Sequence, residues 1–200
     1  MEPGAMNEST SMILKSIDVL FLVLWGAYER ISAIQKEKKH AGLKDRDKNS
    51  LILFYITILL GYFVGVPLAF TPYGKITLFF PYLHIIGFII TAAGLAIRLT
   101  AIKTLDKHFT YTVKIIDNHE LITSGIYSRV SHPAYSGQAL IFLGTGIAFS
   151  NWLSLLLLFV PNFIAALYRI AVEEKVLSDH FSDKYKEYSK KTKLLIPWVY

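Results

Sequence analysis

Apolar residues in this chain come in runs too long for a soluble core of this size. No charged residue occurs between Lys48 and Lys75, and none of Asp, Glu, Lys or Arg occurs from Pro133 to Tyr168. Roughly 20 consecutive apolar residues suffice to cross the hydrocarbon of a bilayer. The pattern predicts a first span over about 12–33, with Lys15 and Asp18 three apart and able to pair on one helix face. The second span lies between Lys48 and Lys75, where Gly61, Gly65 and Pro67 allow a bend or close helix packing. Thr71-Pro72-Tyr73-Gly74 then reads as a turn. The third span starts near Pro81 and ends near Lys103, stays uncharged until Arg98, and carries His84 as a packing residue.

The run from Pro133 to Tyr168 cannot be one straight helix. At 1.5 Å per residue it would reach about 54 Å, against roughly 30 Å of hydrocarbon. It must double back, with Ser150-Asn151 as the turn and Pro161 as a kink in the returning helix. From Arg169 the chain is charged and helical to about Lys191. The expected fold is all-α: a polytopic membrane protein of about five transmembrane helices, with a helical hairpin in its C-terminal half and a cytoplasmic C-terminal helix. Residues 1–75 form two N-terminal spans with a basic loop, and 76–200 form the remaining core.

Composition supports this picture. The chain of 200 residues is 53% hydrophobic, with mean hydropathy +0.41, net charge +6 and pI near 9.3. Its basic residues sit between apolar runs, in the loop from Lys36 to Lys48 and in the tail. Cytoplasmic loops carry such residues, so no nucleic-acid partner is expected. Five spans with the N-terminus outside satisfy all the loop charges. There is no cysteine, which excludes disulfides, thiolate metal sites and cysteine nucleophiles. No metal site is expected. Glu2 and Glu8 precede the first span where a leader would carry basic residues, so no cleavable leader is expected.

The chemistry-bearing residues gather at the edges of the last hairpin. The connector from Thr104 to Ser131 is too polar to cross lipid, and Tyr111, Val113, Ile115 and Ile116 read as a short extended piece. A connector this long, with histidines and aromatics, is a candidate site element. One cluster is His119-Glu120-Leu121-Ile122, Gly125-Ile126-Tyr127 and Ser131-His132-Pro133-Ala134-Tyr135; the other is Arg169 with Glu173 and Glu174. Pro133 suits the first position of a helix, and His132 or Ser131 is placed to cap it. Arg169 and Glu173, four apart, share a helix face. Taken singly, these are a helix-start device, an intrahelical ion pair and interfacial aromatics. If the hairpin closes at Asn151, they converge on one pocket.

In order, Gly125-x-Tyr127, His132-Pro133-x-Tyr135-x-Gly137, Asn151, Arg169-x-x-x-Glu173-Glu174, Phe181, Tyr185-x-x-Tyr188 and Pro197 resemble the isoprenylcysteine carboxyl methyltransferase family and its bacterial and archaeal relatives. Leu105-Asp106-Lys107-His108-Phe109 and His119-Glu120-Leu121-Ile122 also fit, so the resemblance covers roughly residues 100–200. It implies an S-adenosylmethionine-dependent methyltransferase without a Rossmann fold, acting at the cytoplasmic membrane face. The expected reaction is O-methylation of a carboxylate on a lipid-like or isoprenylcysteine-like acceptor. By similarity, Lys114, His119, Glu120, Leu121, Ile122, Tyr127, His132, Pro133, Ala134, Tyr135 and Glu173 would touch the cofactor. Arg169 would hold the acceptor, and Arg169 and His132 would be the catalytic pair. Ser131 departs from the arginine usual before the His-Pro pair in that family.

The resemblance implies as partners the bilayer and a lipophilic or prenylated acceptor, with no obligate protein partner. The location implied is the inner membrane of a prokaryote or the endoplasmic reticulum of a eukaryote. Three readings compete. One is S-, N- or hydroxyl-O-methylation of a small thiol, phospholipid or polyketide. Another is a non-enzymatic membrane scaffold. The third is a sterol-reductase-like enzyme, whose relatives share a His-Pro-x-Tyr segment but are much longer.

Overall fold

The computed structural model describes residues 8–39, 47, 49–77, 79–115 and 120–196. Among the described residues, six helices carry the architecture. They are α1 (Glu8–Lys39), α2 (Asn49–Leu68), α3 (Phe80–Leu105), α4 (Pro133–Ala148), α5 (Trp152–Phe181) and α6 (Asp183–Lys191). Short 3₁₀ turns, Asp106–His108 and Gly125–Ser128, punctuate the connector between α3 and α4. The extended piece expected around Tyr111 forms no strand; residues 109–115 are irregular, and Ile116 lies outside the described residues.

Helices α1, α2, α3 and α5 are long and apolar enough to cross a membrane. Their outward faces carry large exposed apolar side chains at helical spacing, such as Ile13, Ile17, Leu20 and Leu24 on α1 and Ile52, Ile56, Leu59 and Phe63 on α2. A surface of that kind belongs in lipid, not in water, and the chain is a multi-pass integral membrane protein. The expectation of about five spans needs one adjustment. Helix α4 has 16 residues, hence a length of about 24 Å, short of the hydrocarbon thickness. Most of it is buried against its neighbours, including Gly137, Gln138, Ile141, Phe142 and Thr145. A helix enclosed by protein need not match the lipid.

The α3–α4 contact is the tightest in the molecule, and glycine makes it possible. Gly87 and Gly94 on α3 face Gly144 and Gly137 on α4, seven residues apart on each helix. A Cβ at Gly87 would lie 2.4 Å from the Ala148 nitrogen and 2.5 Å from the Gly144 oxygen. Backbone therefore rests on backbone, as small-residue stripes allow between helices in lipid. On the other side, Gly61 and Gly65 admit Leu157 and Leu158 of α5. The same stretch, Gly61–Gly65, is wound as a π turn. Asn162, next to Pro161, bridges α5 to α2 through the Thr57 carbonyl at 3.3 Å and accepts from the Thr57 hydroxyl at 3.3 Å.

The hairpin turns where expected, and Asn151 fixes it. Its Oδ1 caps α5 by accepting from the Ser154 amide at 3.1 Å. Its Nδ2 donates to the Leu68 and Tyr73 carbonyls at 2.9 and 2.8 Å, which stitches the α2–α3 turn to the α4–α5 turn. Gly74 there has φ +75° and no room for a Cβ, which would meet the Asn151 Oδ1 at 2.9 Å.

Helix α1 is tied in by charge. Lys15 and Asp18 do not pair with each other. Both face inward, and each finds a partner on a neighbour: Lys15 donates to the Ala69 carbonyl at 2.7 Å, and Asp18 faces His84 at 3.5 Å. Near the other end, Glu29 receives a two-pronged grip from Arg98 of α3 at 2.7 and 2.8 Å. The remaining arm of Arg98 donates to the Ala134 carbonyl of α4 at 2.9 Å.

Two outcomes follow for thermal unfolding in detergent. Gly87→Ala or Gly144→Ala should cost about 1–3 kcal/mol, because fixed backbone blocks the new methyl. Gly26→Ala, which meets only the end of Tyr62, should stay within about 0.5 kcal/mol; equal effects at all three sites would refute the backbone-contact account. Glu29→Gln, which strands the Arg98 charge, should cost about 3 kcal/mol, and the double change Glu29→Leu with Arg98→Met should recover much of that loss. A double variant no more stable than the single one would show the pair to be uncoupled.

Candidate functional site

The ends of α1, α2, α3, α4 and α5 that meet the α3–α4 connector enclose a chamber of about 200 Å³. Its two halves differ in chemistry. Around His132, Arg169 and Glu173 the walls carry charge, and between α1, α2 and α4 they are largely apolar, with Ile58 and Phe142 among them beside Trp25, Tyr62 and Gln138.

Arg169 is 4% exposed and joins three separate pieces of chain. Its Nε donates to the Tyr135 hydroxyl of α4 at 3.2 Å, Nη1 to Ser50 of α2 at 3.2 Å, and Nη2 to the Tyr111 carbonyl of the connector at 2.8 Å. Its guanidinium lies 5.8 Å from the Phe54 ring centre. Of the five N–H donors of a guanidinium, these bonds leave one on each terminal nitrogen. Arg169 does not form the intrahelical ion pair with Glu173 that the spacing allowed. Asp47 caps α2 by accepting from the Ser50 amide at 3.0 Å. Burial opposes its charge, but the hydrogen bonds from Ser50 and the nearby Arg169 hold its carboxyl below the usual range.

His132 occupies the cap position of α4, yet its side chain caps nothing. The ring is drawn instead to α5: Nε2 meets Glu174 at 2.6 Å and Nδ1 lies 3.9 Å from Glu173. The shorter contact is thus to Glu174, which the sequence placed in the second cluster but not among the residues expected to touch the cofactor. The Tyr185 hydroxyl of α6 also donates to Glu174. Burial and that carboxylate push the Tyr185 phenol up, so it stays a neutral donor. The His132 backbone is fixed from a third direction. Residues 193–195 run alongside 129–132, with the Ser131 and His132 amides donating to the Lys193 and Leu194 carbonyls at 2.8 and 3.0 Å. Ser131 bonds Thr192 at 2.7 Å and so helps seat that tail.

Two further residues frame the polar half. Tyr127 is 5% exposed, with its phenol pushed up by burial and then by Glu173. Its carbonyl accepts from the Tyr188 hydroxyl at 2.8 Å. Lys114 approaches Glu37 of α1 at 3.9 Å. Lys36, also on α1, donates to the Asp106 and Phe109 carbonyls at 2.7 and 3.2 Å, so α1 clamps the start of the connector.

Of the residues singled out from sequence, Lys114, Glu120, Leu121, Ile122, Tyr127, His132, Ala134, Tyr135, Arg169 and Glu173 all line this chamber. Pro133 does not. It is fully buried at the first turn of α4, where its ring packs inside the protein. His119 lies outside the described residues. Sequence reasoning missed Ser50, Phe54, the Tyr111 carbonyl and the Glu29–Arg98 pair. The pair left one usable signal, since an arginine inside an apolar span needs an acid on a neighbouring span. The contacts through Ser50 and the Tyr111 carbonyl left none.

Comparison with known proteins agrees with this architecture. The family model for phospholipid methyltransferase matches residues 82–184. A probable protein-S-isoprenylcysteine O-methyltransferase of Oryza sativa subsp. indica is 32% identical over 116 residues, covering 57% of this chain and 61% of that protein. The Saccharomyces cerevisiae protein-S-isoprenylcysteine O-methyltransferase is 32% identical over 117 residues, covering 58% and 49%. This chain therefore spans about half to three-fifths of the length of these two relatives. A solved structure described as the eukaryotic intramembrane Ras methyltransferase (isoprenylcysteine carboxyl methyltransferase) superposes with TM-score 0.53 and 25% identity, covering 75% of this chain and 50% of that one. The matched segment takes in the glycine-packed α3–α4 pair, the connector and both polar clusters, more than half of the 200 residues, and the chain belongs to the phospholipid methyltransferase family.

Proposed function

We propose that this protein is an S-adenosylmethionine-dependent methyltransferase that esterifies a carboxylate on a lipid-like or isoprenylcysteine-like acceptor at the cytoplasmic face of its membrane. The observation that carries the reading is the two-sided chamber: a permanently charged, buried arginine at a polar end that opens into an apolar end between helices. In this reading residues 76–200 hold the reacting groups, and residues 1–75 supply much of the apolar wall. The membrane is the inner membrane of a prokaryote or the endoplasmic reticulum of a eukaryote.

The polar half fits such a cofactor by its donor set. Glu173 offers a carboxylate to amino or ribose groups, Leu121 and Ile122 offer apolar surface to a base, and Tyr127 and Tyr135 offer ring faces that favour a cation. Bound S-adenosylmethionine supplies an electrophilic methyl on a sulfonium, open to in-line displacement by an acceptor oxygen. The protein's share is alignment and exclusion of water. A carboxylate is already ionised near neutral pH, so no base is required. His132, held between Glu173 and Glu174, serves to set the wall of the site rather than to take a proton. Arg169 is anchored by three bonds and keeps one N–H on each terminal nitrogen for the acceptor, in keeping with the affinity of guanidinium for carboxylate. An amine acceptor of the phospholipid kind would bring positive charge to this arginine, which Coulomb repulsion disfavours.

The test uses detergent-purified protein with methyl-labelled cofactor, a farnesylthio-carboxylate and phosphatidylethanolamine. Label should enter a base-labile ester of the carboxylate; label in the amine lipid, or in neither, would remove the proposal. Arg169→Lys should lower kcat/KM by about 100-fold while cofactor affinity changes by less than about threefold. Tyr135→Phe, which deletes the hydroxyl that accepts from Arg169, should lower kcat/KM about 10-fold and stability by about 1–3 kcal/mol, because a buried N–H loses its acceptor. Full activity in both variants would strip Arg169 of the role.

A further inference from the structure

Two polar atoms in the apolar half of the chamber lack hydrogen-bond partners: the Trp25 indole N–H and the Gln138 side-chain oxygen. Both residues line the chamber, and they are 8% and 6% exposed. Each such buried group costs about 1–3 kcal/mol when left unsatisfied, and native proteins keep few of them. The neighbouring Tyr62 shows the usual outcome, with its hydroxyl donating to the Leu22 carbonyl at 2.7 Å.

The two atoms stand at matching depth. Glu29, Arg98 and the Ala134 carbonyl form one junction between α1, α3 and α4. Trp25 is four residues before Glu29 on α1, and Gln138 is four residues after Ala134 on α4. The helices run in opposite directions, so each residue lies one turn, about 5.4 Å, from that junction toward the apolar end. The indole can only donate, and an amide can accept or donate. Phe142, one further turn along α4, adds an aromatic ring to the wall. An unpartnered donor and an unpartnered acceptor thus belong to residues that stand one turn from the same junction, in a wall that also carries Tyr62. Trp25 also lies outside residues 82–184, the segment shared with the family.

We propose that this level is a binding site for an oxygen substituent, a hydroxyl above all, on the apolar chain of the acceptor. The hydroxyl accepts from the Trp25 N–H and donates to the Gln138 oxygen. The protein then selects an oxygenated chain over a plain isoprenoid or alkyl one. This rests on the reading of the chamber as an acceptor site, and it adds a specificity that the arginine end cannot supply.

Binding, not turnover, tests it. S-hexadecyl thioglycolate and its analogues bearing one hydroxyl at successive chain carbons are titrated calorimetrically into the detergent-purified protein. At least one hydroxylated probe should bind about 10-fold more tightly than the plain one, the size expected of a satisfied buried pair. Gln138→Leu and Trp25→Phe should each erase that preference while leaving the affinity for the plain probe within about threefold. Gln138→Leu should also leave the melting temperature unchanged or raise it, since it removes an unpaired polar group; a marked fall would show the amide to be structural and overturn the proposal. Binding of the plain and hydroxylated probes with equal affinity, as when a trapped water satisfies both groups, would overturn it while leaving the acceptor reading intact. Failure of every carboxylate probe to bind would remove the acceptor reading and this proposal together.

Discussion

A guanidinium shielded from water must find acceptors in the protein or leave its charge uncompensated. Arg169 finds them on α2, on α4 and on the connector, at Ser50, Tyr135 and Tyr111. The polar end of the chamber exists because these pieces are held to one point. Their convergence depends in turn on α3 and α4 lying backbone to backbone, since a wider separation would carry Tyr135 and the connector away from α5. The glycine stripe and the buried arginine are therefore two parts of one constraint: the first sets how near the helices come, and the second sets what they enclose.

The opposite wall is built on different principles. Helix α1 meets the rest of the protein through apolar packing at Leu22 and Trp25 and through charged contacts at Lys15, Asp18, Glu29, Lys36 and Glu37. In lipid, apolar packing gains little over contact with acyl chains, so polar links decide where such a helix sits. The Glu29–Arg98–Ala134 junction places α1 against the His132-Pro133 start of α4. A segment outside the shared family region thereby becomes part of the chamber.

Much of this was legible in the sequence, and the reasons are physical. Uncharged runs measured against bilayer thickness located the helices, and the excess length of the Pro133–Tyr168 run required the turn at Asn151. His132, Tyr135, Arg169 and Glu173 each have a bland explanation taken singly, and stood out because they flank a hairpin whose closure brings them together. The near-misses share a cause. Spacing along one helix suggested Lys15 with Asp18 and Arg169 with Glu173, yet in each case a partner on another helix won, because the inward face of a packed helix meets its neighbours before it meets itself. The preference of His132 for Glu174 over Glu173 turns on side-chain direction, which sequence spacing does not encode. Gly87 and Gly94 were unremarkable until paired with Gly137 and Gly144, a register that only the folded helices define.

The pairing of residues 193–195 with 129–132 carries a consequence of its own. Two amide groups at the start of α4 lean on carbonyls contributed from beyond α6, so the helix that bears the central histidine is propped up by a stretch outside the bundle. Trimming the chain back to Lys191 would leave the long apolar helices intact, and the protein would still insert. It would nevertheless have a loosened doorway, because the footing of His132 is laid outside the hydrocarbon by a short ribbon of main chain.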